Sequence, residues 1–187
     1  MELDKAIKER HSVRRFCVTK KISYDKIIEA IEAANSSPFA GNIPTLKFIL
    51  VNDKEKIQKI AEGSQQDFLA KVDYLIVVCS DTAQCVRSYG ERGERYSRQQ
   101  AGAAIENFLL KITDLGLASC WVGAFSDEII RRILIIPDNI NVEAILPIGI
   151  EMPKAGKQRK KRNLDDVIFF NKWKQKVLTP WKTPEAI

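Results

Sequence analysis

The sequence predicts a mixed fold, α+β or α/β, and three features carry that expectation. Stretches with helical apolar spacing alternate with short runs that are apolar throughout. No repeat or low-complexity segment interrupts the 187 residues. At 45% hydrophobic and 29% charged, the chain is globular in composition, and its length buries a core with no disulfide or metal as a staple.

The elements follow in chain order. Leu3 to Glu9 reads as a short helix with Leu3, Ala6 and Ile7 on one face. Ser23 can cap a second helix through Ala34, whose Ile27, Ile28, Ala30 and Ile31 form an apolar stripe. A turn-rich segment from Asn35 to Pro44 precedes a strand, Leu46 to Val51. Asp53 caps a helix to Glu62, with Gly63 suited to its C′ position. Leu75 to Cys79 is apolar on both faces and therefore reads as a central strand. Asp81 to Arg98 is polar and carries Arg87, Arg92, Arg95 and Arg98; it reads as an irregular loop or a short lid. A long helix then runs from Gln99 to Leu115 and ends at Gly116. Its Ala101, Ala104, Ile105, Phe108, Leu109 and Ile112 leave only a thin polar face, which places it in a core or a subunit interface. Ala118 to Val122 reads as a third strand, and Ser126 caps a helix with Asp127 and Glu128 in its first turn. Val142 to Ile150 is a fourth strand, and Pro147 marks it as an edge or a bend. A basic stretch, Lys154 to Arg162, leads to a short helix and a tail with Trp173 and Trp181. The domain expectation is one body over residues 1–170 and an extension over 171–187.

Several function classes lose support at this level. Met1 to Asp4 lacks the basic and apolar regions of a signal peptide. The longest apolar run, Tyr74 to Cys79, suits a buried strand and is too short to span a membrane. Cys17, Cys79, Cys85 and Cys120 form no CxxC pair and read as thiols in a reducing cytoplasm. One histidine without clustered ligands argues against a metal site. The net charge of +6 favours an anionic partner: nucleic acid, anionic lipid or a phosphorylated ligand.

The stretch RHSVRRF, Arg10 to Phe16, concentrates that charge and holds the only histidine. In an extended segment Arg10, Ser12 and Arg14 point one way, because side chains alternate with period two. Two guanidiniums and a hydroxyl then converge as a phosphate cradle. The alternative is a solvated basic loop, where cations complement the end of the preceding helix dipole. Spacing alone leaves both open.

Four motifs, in order, carry a resemblance. They are Arg10-x-Ser12-x-Arg14-x-Phe16, then Pro38-Phe39-Ala40-Gly41-Asn42-Ile43-Pro44-Thr45, then Gly116-Leu117-Ala118-Ser119-Cys120-Trp121-Val122-Gly123, and last Leu146-Pro147-Ile148-Gly149 with Lys160 and Arg162. Over nearly its full length the chain resembles the flavin-dependent nitroreductase family. The resemblance implies an α+β fold with a mostly antiparallel central sheet flanked by helices, in an intertwined homodimer. It implies bound FMN, with Arg10, His11, Ser12, Arg14, Lys160 and Arg162 around the phosphate. His11 is expected as a ribityl or ring-edge contact and not as a base. Ser37, Pro38, Phe39 and Asn42 would lie near the flavin ring, Gln65 on its pyrimidine side, and Val122, Gly123 and Ala124 by N5 and O4. NAD(P)H would donate hydride and a small electron acceptor would receive it, in two half-reactions that need no catalytic side chain. Trp173 and Trp181 would pack on the partner subunit.

The departures are specific. Pro44-Thr45 stands where Gln-Pro is common, Gln99 and Gln100 stand where an acidic residue is common, and the 81–98 segment is shorter than the family's excursion over the flavin. Two rivals follow: a flavin-binding protein without NAD(P)H turnover, and a basic nucleic-acid-binding module built on the KQRKKR run at 157–162.

Overall fold

The computed structural model describes residues 2–17, 21–153 and 163–177, and divides the chain into two compact units, Met1–Pro153 and Lys154–Ile187. In the first unit the helices are α1 (Leu3–Glu9), α2 (Tyr24–Asn35), α3 (Lys54–Gly63), α4 (Ala83–Tyr89), α5 (Arg92–Asp114) and α6 (Asp127–Leu134). The strands are β1 (Leu46–Val51), β2 (Tyr74–Ser80) and β3 (Asn141–Ile148). They form one antiparallel sheet in the order β1-β2-β3.

β2 is central, as its unbroken apolar run requires. Alternation still operates inside it, because both faces are covered. Ile76 and Val78 face α2 and α5, packing with Ile27, Ala30, Ile105, Phe108 and Ile112. Leu75, Val77 and Cys79 face the other way, among Ile57 and Ile60 of α3 and Ile130 of α6. The result is three layers, helix pair on sheet on helix pair. The α2–α5 pair is pinned at its rim by Lys111 Nζ to Glu29 at 2.6 Å and by Asn107 Nδ2 donating to the Ala33 carbonyl at 3.3 Å.

The helix ends follow local chemistry. The Asp53 carboxylate accepts from the N–H groups of Glu55 and Lys56, satisfying two donors that the first turn of α3 leaves without intrahelical partners. Ser126 Oγ accepts from Ile129 N–H at the start of α6. Ser23 sits at the N-cap of α2 without a side-chain bond. Gly116 follows α5 with φ 72°, the left-handed stop that a glycine supplies at least cost. Gly63 lies inside α3, and the left-handed residue after that helix is Gln65, φ 52°.

Two segments differ from expectation. Most of residues 81–98 is helical: Ala83–Tyr89 is α4, and after a turn at Gly90 and Glu91 the first two turns of α5 begin at Arg92. The two helices meet at Gly93, where a Cβ would fall 2.5 Å from the backbone of Cys85. That close approach replaces the apolar stripe that the segment lacks. The Ala118–Val122 run is not a full strand. It meets the outer edge of β3 at two isolated pairs, Ala118 with Gly149 and Val122 with Ile145. Between those pairs, Pro147 turns its nitrogen toward Cys120 and has no hydrogen to donate, so the ladder is interrupted where a third pair would stand.

In the second unit, the Phe169 and Trp173 rings lie 4.7 Å apart, Lys176 sits 4.3 Å from the Phe169 centroid, and Trp173 is 78% exposed. Trp181 lies outside the described residues.

Candidate functional site

The Arg10–Phe16 segment leaves α1 at Arg10 in an extended conformation, φ −56° and ψ 123°. Backbone pairing holds it flat. Val13 N–H reaches the Ser119 carbonyl at 2.9 Å, Cys17 N–H the Ile150 carbonyl at 2.8 Å, and the Arg15 carbonyl accepts from Met152 N–H at 3.0 Å. Val13 is buried between the exposed Ser12 and Arg14, which is the period-two arrangement; the alternation ends there, since Arg15 is exposed and Phe16 is buried although it shares the parity of Ser12 and Arg14.

The cations are not equivalent. Arg10 Nε is 3.1 Å from Glu106 Oε1 on α5, so part of its charge is already met. His11 lies between two acceptors: its Nδ1 is 2.7 Å from the Glu9 carbonyl and its Nε2 2.9 Å from Glu151 Oε1. Arg14 makes no ion pair among the described residues. Together with the Ser12 hydroxyl, it lies within electrostatic reach of the Cys120 thiol. Burial pushes that thiol's pKa up, and Arg14 and Ser12 pull it partly back. Ser12 and Arg14 therefore share one side of the segment.

The second expected group follows α2. Ser37 is buried, and its hydroxyl has no hydrogen-bond partner among the described residues. Pro38 and Asn42 are exposed and Phe39 is half-buried. The turn Ala40–Asn42 contains two successive left-handed residues, Gly41 at φ 57° and Asn42 at φ 56°. A Cβ on Gly41 would also run into the Tyr89 ring of α4, 3.1 Å from Cζ, so glycine is needed there for space as well as for conformation.

The third group lies beyond the broken strand. Val122 is buried and bonded to Ile145, whereas Gly123 and Ala124 are exposed. Neither of their N–H groups donates a backbone hydrogen bond among the described residues, and a Cβ on Gly123 would meet nothing within 4 Å. Ser126 N–H reaches the Gly63 carbonyl at 3.4 Å, so the end of α3 that carries the exposed Gln65 adjoins this segment. Lys160 and Arg162 lie outside the described residues.

The helix α5 connects two of these groups. Glu106 holds Arg10, and Gln100, six residues earlier and about 9 Å along the axis, holds the 40–45 segment. Neither anchor was expected from the sequence. The available signal for Gln100 is an amide within an otherwise apolar helical stripe. His11 and Glu151 are 140 residues apart, and nothing local announces their pairing.

Comparison with known proteins gives a consistent picture. The model of the nitroreductase family matches residues 7–71 and 61–150. A relative from Archaeoglobus fulgidus, provisionally named NADH dehydrogenase/NAD(P)H nitroreductase, is 33% identical over 150 residues, which cover 78% of this chain and 83% of that protein. The solved structure of a nitroreductase family protein from Clostridium novyi is similar, with TM-score 0.75 and 27% identity over 94% of this chain and 96% of that one. An FMN-dependent nitroreductase from Clostridium difficile has the same fold, with TM-score 0.73 and 24% identity over 90% of this chain and 98% of its own.

Proposed function

The chain belongs to the nitroreductase family, and from that premise we propose that Ser12, Arg14, Ser37, Gly123 and Ala124 form its FMN site, where it acts as an NAD(P)H-dependent oxidoreductase on a small electron acceptor. The donor set fits such a ligand. A phosphate needs cations and neutral donors, and Arg14, without an ion pair among the described residues, supplies both together with Ser12. A flavin ring that gains negative charge on reduction needs N–H donors, and the Gly123 and Ala124 amides donate no backbone hydrogen bond among the described residues. The Ser37 hydroxyl, buried without a partner among the described residues, is a polar atom that a ligand would satisfy. The observation that carries the reading is the extended Arg10–Phe16 segment, with its apolar residues in the core and Ser12 and Arg14 left facing outward.

Bound FMN supplies the hydride chemistry; the chain supplies binding, orientation and electrostatics. We assign Arg10 and His11 to flanking positions, already engaged by Glu106 and Glu151. Phe39, Pro38 and Asn42 are assigned to the ring side and Gln65 and Val122 to the rim of the third group; for Lys160 and Arg162, outside the described residues, the phosphate role rests on the resemblance alone. The test is the visible spectrum of the purified full chain with added FMN after removal of the excess, then anaerobic addition of NADH or NADPH. The expected result is a yellow protein that bleaches with a reduced nicotinamide. A colourless chain that refuses FMN overturns the reading, and a yellow chain that never bleaches leaves a flavin-binding protein without turnover.

We also propose a homodimer in which the 171–187 extension packs on the partner. Leu3 and Ile7 of α1 are 64% and 52% exposed, Trp121 is 41% exposed beside Gly102 of α5, and Trp173 has little cover in its own unit. These apolar surfaces are larger than an isolated chain gains by exposing. Sedimentation of the full chain should give a dimer and the Leu3→Glu/Ile7→Glu variant a monomer. Two dimers of equal strength would remove α1 from the interface. Among the described residues no helix is long and apolar enough to cross a membrane. We place the protein in the cytoplasm, which the buried thiols of Cys79, Cys85 and Cys120 suit.

A further inference from the structure

Gln100 is a polar residue on the buried stripe of α5, 3% exposed, next to Ala101 and one turn before Ala104. Its amide has two hydrogens to give and an oxygen to receive. All three are used on one segment. The amide orientation is assigned from its neighbours, because only one choice turns its nitrogen to acceptors and its oxygen to a donor: Nε2 then donates to Thr45 Oγ1 at 3.1 Å and to the Ile43 carbonyl at 3.2 Å, while Oε1 accepts from Ala40 N–H at 3.2 Å. Thr45 is itself 1% exposed, and its carbonyl accepts from Asp81 N–H at 2.8 Å, which ties the same segment to the end of β2.

The held segment is one that needs holding. Asn42 takes a left-handed conformation directly after Gly41, and a non-glycine residue pays for that φ unless its surroundings impose it. The three bonds surround the turn: Ala40 lies just before the left-handed pair, and Ile43 and Thr45 lie just after it. Tyr89 covers the turn at Gly41 from the other helix. Glutamine is specific to the task. Glutamate has the same length but no hydrogen for the Ile43 carbonyl, and leucine fills the space while making none of the bonds.

We propose that Gln100 is a positioning residue for the cofactor: it sets the Phe39–Asn42 turn in the shape that meets the flavin ring, and it acts through that turn without touching the ligand. This rests on the FMN reading above. It requires that Gln100 govern affinity for the ring and leave the phosphate contribution alone.

FMN and riboflavin, which differ only by the phosphate, separate the two contributions. Flavin-fluorescence titrations of the flavin-stripped full chain would compare the parent with Gln100→Leu and Gln100→Glu, alongside thermal melts without ligand. The expected result is that both variants raise the Kd for FMN and for riboflavin by the same factor, about tenfold, with the ratio of the two unchanged. A purely structural role would lower the melting temperature and leave both Kd values within about twofold, and that outcome overturns the proposal. Loss confined to FMN overturns it as well, since the turn would then serve the phosphate. Should the Gln100 variants not fold, Thr45→Val removes one partner and is expected to raise both Kd values about threefold; no change there overturns the proposal. A parent chain that binds neither ligand overturns the flavin reading and this inference together, whereas a binding parent with unaffected variants overturns the inference alone.

Discussion

Arg14→Ala should bind FMN about a hundredfold more weakly than the parent while holding riboflavin within about threefold, the loss of about 2.7 kcal/mol that a charge-assisted pair to phosphate is worth. Arg14 and Arg15 are both exposed guanidiniums with no carboxylate beside them among the described residues, and of the two it is Arg14 that shares a side with Ser12. Arg10 already shares its charge with Glu106 at 3.1 Å, so Arg10→Ala should cost less. The comparison cation is Arg132, which lies on an exposed helix face bonded to Glu128 at 2.8 Å, and Arg132→Ala should change nothing. Titrations at two salt concentrations add a second readout. The salt dependence of FMN binding should flatten in Arg14→Ala and persist in Arg132→Ala, because a surface cation facing a phosphate is screened by salt. Equal loss of FMN and riboflavin in Arg14→Ala would move this residue from the phosphate to the ring.

Much of the frame was legible because it is local. The run Leu75–Cys79 announced a central strand, and β2 is central with a helix pair on each face. Asp53 and Ser126 announced helix starts, since a side-chain acceptor there serves donors only two or three residues away. Period two placed Ser12 and Arg14 on one side, and they are the exposed pair around buried Val13; it does not extend to Phe16, which is buried with the same parity. What stayed hidden is held by distant partners. The 81–98 segment reads as irregular because its charged residues face solvent and its apolar stripe is sparse; a close backbone approach at Gly93 makes it helical. The Ala118–Val122 run has strand composition, but its ladder depends on Pro147, which cannot donate across to Cys120. The FMN assignment came from resemblance between motifs and not from the residues one by one. The Gln100 clasp could not be read at all, since two of its three partners are backbone groups more than fifty residues away.

The same dependence on a distant neighbour makes Gly149→Ala a disruptive small change at the segment that carries Arg14. A Cβ at this position would fall on the Phe16 ring, 2.8 Å from Cγ. Neither side can retreat. Gly149 spends its N–H and its carbonyl on Ala118 at 3.0 and 2.8 Å. Phe16 is 4% exposed, packed with Val13 and Ala118, and its chain neighbours Arg15 and Cys17 are bonded to Met152 and Ile150. The added methyl must therefore displace the aromatic ring, and overpacking of that kind costs about 1–3 kcal/mol. Because Phe16 anchors the segment two residues after Arg14, the displacement reaches the cation proposed to hold the phosphate. Urea denaturation of the full chain should show Gly149→Ala destabilised by about 2–3 kcal/mol, and FMN affinity should fall with it. Phe16→Leu alone loses stability by leaving a cavity. Combined with Gly149→Ala it should recover at least about 1 kcal/mol relative to the sum of the two single losses, since the methyl then enters the space the ring has left. Additive losses would mean that the two residues do not compete for the same volume, and the phosphate segment would then be held by its backbone bonds alone.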